Sequence, residues 1–272
     1  MRTALLRGRD HLELGAVDAI AEANAAIALS RGGAPKRYTH SEPNEDGAAF
    51  ARGAEGSFVA VADGHGGSEA SEVALEHLLG EPAAQWTDAP GTLDAEGWRR
   101  QALAALFDAN QAVRRELGGR DRPRARTTLS LAVVLPGALR LLHAAVGDSH
   151  LFVAEAQGVR EIAPAGENVA FLGDALEGPG ELAELARVGA LPLVGVRAIV
   201  LVTDGLSERG VGVAEPATAV AQALRQAEQA RAGARALALA RGVAELALDA
   251  QRRNRAGDNV AVSALWISGT GQ

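Results

Sequence analysis

"VADGHGG" (residues 61–67) sets one carboxylate, one imidazole and three glycines on five consecutive positions after an apolar run. Asp-Gly is ordinary turn chemistry, so a tight turn closing a buried strand is the bland reading. A metal site is the other, because glycine lets a backbone approach an ion and its substrate closely. The choice rests on whether the rest of the chain brings carboxylates to equivalent places.

Four more acids sit that way. Asp204 ends "AIVLVT", Asp148 ends "LRLLHAAVG", Asp258 stands one residue before "VAVSALWI", and Asp46 in "PNEDG" precedes the first expected hairpin. A glycine adjoins every one of them. If these strands share a sheet end, the acids converge, and like charges in one cleft repel unless a cation binds. Turn chemistry accounts for any single case. The set of five points to a metal held by oxygen.

Composition agrees. A chain of 272 residues with 47% apolar and 22% charged residues has the profile of a soluble globular protein with a full core. The net charge of −7 supplies no basic field for nucleic acid or an anionic membrane, so neither partner is expected. Without cysteine there are no disulfides, thiolate nucleophiles or cysteine-type zinc clusters. The histidines (11, 40, 65, 77, 143 and 150) form no His-x-x-x-His pair, and His77, His143 and His150 are expected at or near the surface. Oxygen ligands favour magnesium, manganese or calcium. No apolar run reaches eighteen residues and the N-terminus lacks a secretory pattern, so a cytoplasmic location is expected.

Periodicity sketches the elements. "KRYTHSE" (36–42) alternates as a strand would, and "AAFARG" and "SFVAVAD" flank a turn-like "GAEG". "SEASEVALEHLLG" (68–80) reads as an amphipathic helix with its glycine stop, and residues 93–117 as a long helix opened by Asp94. "QWTDAPGT" (85–92) reads as a loop between them. Residues 127–162 read as a three-strand meander, 164–192 as irregular, 198–205 as a strand, 214–253 as helical and 257–267 as a closing strand. Strands alternating with helices in blocks indicate an α+β domain.

The acids and their neighbours resemble the metal-dependent serine/threonine protein phosphatases of the protein phosphatase 2C (PPM) type. "NED" (44–46), "DGHGG" (63–67), "TT" (127–128), "VGDS" (146–149), "TDGLSE" (203–208) and "GDN" (257–259) follow that family's motifs in order across residues 36–267. The resemblance implies two packed antiparallel β-sheets flanked by helices on both faces. Residues 1–35 are then an N-terminal extension or edge element, and 36–272 the phosphatase domain. It also implies a monomer that hydrolyses phosphoserine and phosphothreonine in proteins, opposing a Ser/Thr kinase. The chemistry implied is a metal-activated water at a dinuclear Mn²⁺ or Mg²⁺ centre.

By the same resemblance, Asp63 bridges both ions and the Gly64 carbonyl binds one. Asp204 and Asp258 hold the other, and Asp46 serves the first with Glu45 behind it. His65 is the expected general acid. Asp148 and Glu208 are expected to take a third, weaker ion, although the family commonly has Asp at position 208. A partner-restricted phosphatase and a pseudophosphatase that only binds are the alternatives. One departure stands out: Ser41 occupies the place of the family's phosphate-clamping arginine. Arg37 (on the same face of the expected strand, four residues away), His40 (nearer, on the opposite face) and Arg126 (just before "TT") are the candidate substitutes for that arginine.

Overall fold

The structure, a computed structural model, describes residues 1–272 apart from 39, 92, 118–124, 163, 165–169, 175–177 and 268–272. In chain order, β1 (Arg2–Arg7), β2 (Asp18–Glu22), β3 (Ala25–Ser30), β4 (Gly47–Arg52), β5 (Ser57–Ala62) and β6 (Gly64–His65) come first. Helices α1 (Glu69–Leu79), α2 (Glu81–Asp88) and α3 (Ala95–Leu117) follow. Next come β7 (Arg126–Thr127), β8 (Leu129–Leu135), β9 (Arg140–Val146), β10 (His150–Glu155) and β11 (Gly158–Glu161). The last third holds α4 (Pro179–Leu185), β12 (Arg187–Pro192), β13 (Ala198–Val202), α5 (Pro216–Glu228), α6 (Arg235–Asn254) and β14 (Val260–Trp266).

Two six-stranded antiparallel sheets form, in the orders β1-β4-β5-β8-β9-β12 and β11-β10-β13-β14-β3-β2, with β6-β7 as a separate pair. Their inner strands β3, β5, β8, β13 and β14 are largely apolar runs buried along their whole length, because both faces are covered. Along β5, Val59 and Val61 face the second sheet, packing in one layer with Ile27, Leu29, Ile199 and Leu201. Phe58, Ala60 and Ala62 point the other way, under Leu75, Trp86 and Trp98 from α1, α2 and α3. The second sheet repeats the scheme, with Val200, Val202, Val260 and Val262 under Leu239, Val243 and Ala247 of α6. Period-two alternation therefore distributes side chains between two apolar layers instead of between core and water. The expected α-β-β-α sandwich is the observed one.

Residues 1–35, expected as an extension or edge element, supply the edge strands β1 and β2 and also β3, which lies inside the second sheet with all six residues buried. Four local expectations are corrected. The described residues of 36–42 form no strand: the Glu45 carboxylate accepts the Ser41 and Glu42 N–H groups (both 3.2 Å), taking donors that a ladder would have used. Gln85–Asp88 are helical, because Trp86 fills the space between Phe58 and Trp98 (ring centroids 5.9 and 5.2 Å). The meander is split between sheets: β8 and β9 pair in the first, and the chain crosses at Gly147 (φ +100°) into β10 and β11 of the second. Within 164–192, α4 and β12 are regular, and the rest of that stretch falls partly outside the described residues. His143 is also buried (7% exposed), opposite Gly189 in the β9–β12 ladder.

Candidate metal centre

Register brings the acids together. Gly47 at the start of β4 pairs with Ala62 at the end of β5, which puts Asp46 beside Asp63. Val202 at the end of β13 pairs with both Val262 and His150, so Asp204, Asp258 and Asp148 emerge at one end of the second sheet. Side chains then pin the two sheets at this end. Thr203 Oγ1 donates to Asp46 Oδ2 (2.7 Å), and the Asn259 side chain accepts from Glu45 N (2.9 Å) while donating to the Pro43 carbonyl (2.9 Å).

Asp63, Asp148 and Asp204 each offer a carboxylate oxygen, and these atoms lie within 4.8 Å of one another. Burial and neighbouring carboxylates push Asp46 up to about 7, and hold Asp63 and Asp204 well above the ordinary carboxylate range. Asp258 is buried as well, next to Asp46 and Asp204 electrostatically. Asp148 Oδ1 is buried without a hydrogen-bond partner. Oxygens at this spacing, crowded and under-neutralised, fit divalent cations that take six or more oxygen ligands. Glu208 lines the same pocket from an exposed position, outside the group of three.

The pocket measures about 390 Å³, with Tyr38, Ser41, Asp63, His65, Asp204 and Asp258 among its walls. His65 Nδ1 lies 3.6 Å from Asp63 Oδ1, and burial lowers the imidazole's pKa. Gly64 is required for a reason other than access to an ion: a Cβ there would sit 2.4 Å from the Glu45 carbonyl oxygen and 2.8 Å from that of Gly67. The Thr127–Thr128 pair braces Asp63, whose carbonyl accepts from Thr127 Oγ1 (2.8 Å) and Thr128 N (2.9 Å).

Sequence reasoning passed over Lys36 and Tyr38, the only lysine and the only tyrosine of the chain. Both converge on Asp258. Tyr38 donates its hydroxyl to Oδ1 at 2.5 Å, and Lys36 Nζ lies 3.5 Å from the same atom and 3.7 Å from Glu45 Oε2. Burial beside Asp258 raises the Tyr38 pKa far above its usual value, so it stays a donor. Being unique of its type was the only signal either residue carried. The strand face proposed for Arg37 and Ser41 lapses with the strand itself.

The protein phosphatase 2C family matches residues 35–240, and the chain belongs to that family. It is accordingly an enzyme of the protein-serine/threonine phosphatase type. Asp258 and Asn259 lie beyond the matched stretch and reach the site through β14. No curated protein matches the chain. Among solved structures, a bacterial serine phosphatase is similar with 17% identity and a TM-score of 0.65, over 92% of this chain and 100% of that one. The Mycobacterium tuberculosis serine/threonine phosphatase PstP/Ppp gives 21% and 0.62, over 90% and 98%. The PstP catalytic domain in complex with two manganese ions gives 19% and 0.63, over 93% and 100%. At these identities the likeness is one of fold. No helix among the described residues is long and apolar enough to cross a membrane.

Proposed function

We propose that this chain hydrolyses phosphoserine and phosphothreonine in proteins, the products of a Ser/Thr kinase, using two Mn²⁺ or Mg²⁺ ions. Asp63 would bridge them, with Asp204, Asp258, Asp46 and the Gly64 carbonyl completing the set and Asp148 with Glu208 available to a third. When bound, such ions neutralise the phosphoryl oxygens and lower the pKa of a water. The observation that carries the reading is the convergence of Asp63, Asp148 and Asp204 within 4.8 Å, beside His65 on the pocket wall.

The chain's own residues supply the rest. With Nδ1 turned toward the Asp63 carboxylate, His65 is left with Nε2 to give a proton to the departing serine or threonine oxygen. Glu45 acts by position, since its carboxylate holds the 41–42 backbone and Lys36. One observation favours a partner-restricted phosphatase as a second reading: among the described residues, no lysine or arginine lines the pocket wall, so a generic phosphoprotein meets little fixed positive charge from them.

The test is phosphate release from a phosphothreonine peptide with and without Mn²⁺, for the wild type and Asp63→Asn. Metal-dependent turnover lost in the variant supports the reading. A wild type that binds Mn²⁺ yet releases no phosphate from any phosphopeptide sinks it.

A further inference from the structure

A phosphomonoester carries a double negative charge into a pocket whose walls hold five carboxylates, Glu45, Asp63, Asp204, Glu208 and Asp258. Lys36 is committed to two carboxylates, and Ser41 is uncharged. Arg126 lies next to His65, itself a pocket-wall residue. In the β6–β7 pair it stands directly across from His65, so the two side chains rise on the same face. Its guanidinium sits over the ring of Phe171, 4.1 Å from the centroid, and that ring meets the His65 imidazole edge-on at 4.8 Å. Backbone hydrogen bonds in both directions between Thr127 and Leu172 (2.9 and 2.8 Å) lock Phe171 into this place.

Stacking engages only the flat face of a guanidinium and leaves its in-plane N–H donors available. Among the described residues, the contact made by the Arg126 guanidinium is with the Phe171 ring, and no carboxylate pairs with it. A cation pre-oriented on an aromatic ring, with free donors beside the proposed proton donor, has the features of a phosphate-binding group.

We propose that Arg126, seated on Phe171 beside His65, binds the phosphoryl group of the substrate and makes up for the uncharged residue at Ser41. The proposal rests on the phosphatase reading. It adds a phosphate subsite built from β7 and the segment around Phe171, on the His65 side of the pocket.

The experiment compares wild type, Arg126→Ala, Arg126→Lys and Phe171→Leu, all loaded with Mn²⁺. Calorimetric titration with inorganic phosphate reads binding without turnover, and KM and kcat on a phosphothreonine peptide read catalysis. Arg126→Ala should raise both the phosphate Kd and KM on the order of 10- to 100-fold, with Mn²⁺ binding and thermal stability unchanged. Arg126→Lys should recover only part of the loss, because an ammonium is a point charge without the planar fork. Phe171→Leu should fall between. An unchanged phosphate Kd in Arg126→Ala overturns the proposal, as does a matching loss of Mn²⁺ affinity in that variant, which would make Arg126 a support of the metal site. Absence of turnover in the wild type overturns the phosphatase reading instead, and the phosphate titration still decides on Arg126.

Discussion

Thr203, at the end of β13, donates its hydroxyl to Oδ2 of Asp46 on the other sheet at 2.7 Å and accepts the Ala261 N–H at 2.9 Å. One oxygen thus ties the two sheets at the end where the carboxylates meet. Thr203→Val keeps the shape and leaves two buried partners unsatisfied, so it should cost about 1–3 kcal/mol. Chemical unfolding measures the loss. Mn²⁺-dependent phosphatase activity should fall as well, because Asp46 loses its anchor. A variant as stable and as active as the wild type would show the tie to be incidental.

Lys36 is a buried counter-charge, its side chain 5% exposed between Glu45 and Asp258. Removing one partner of a buried ion pair costs about 3–5 kcal/mol because the other is left uncompensated. Lys36→Met should therefore lower the melting temperature of metal-free protein. Mn²⁺ should restore more stability to this variant than to the wild type, since the ion supplies the missing charge at Asp258. Equal gains from Mn²⁺ in both proteins would refute this.

Desolvation and the charge of Asp258 disfavour the ionised form of half-buried Asp204. Asp204→Asn should raise the melting temperature without metal and shrink the increase that Mn²⁺ produces, together with loss of phosphatase activity. Stability of wild type should drop when a chelator strips the ion, by the amount that mass action assigns to binding. An Asn variant that gains as much from Mn²⁺ as the wild type would remove Asp204 from the ligand set.

His143 predicts a pH dependence away from the site. Burial, with Arg187 nearby, lowers its pKa to about 4 in the folded protein. The unfolded chain's histidine titrates near its ordinary ~6.5 and takes up protons first. Its contribution is therefore full above pH ~6.5 and is lost as pH falls toward 4. His143→Leu should flatten that part of the stability profile, read as urea midpoints at pH 7 and pH 5. A profile with the same slope in both proteins would assign the acid sensitivity elsewhere.

Much of the sandwich was legible because it is local. Continuous apolar strands, the α1 stop at Gly80 and the Asp94 start of α3, where Oδ1 accepts the Gly97 N–H at 2.7 Å, are each written within a few residues. The failures share a cause. Residues 36–42 alternate like a strand, yet a carboxylate three and four positions on takes their N–H groups. "QWTDAPGT" has turn composition, yet burying Trp86 favours helix over its first half. In both, a side-chain interaction outweighed the local pattern.

The sequence alone determined which acids end strands, that oxygen and not sulfur would bind any metal, and which motifs occur in order. Those facts depend on residue identity and short-range spacing. Only the tertiary structure decided which acids share one cavity, that β9 and β10 belong to different sheets, that Lys36 and Tyr38 converge on Asp258, and that Arg126 lies across from His65. Strand register and sheet packing set these distances, joining residues far apart in the chain, and no local pattern encodes them.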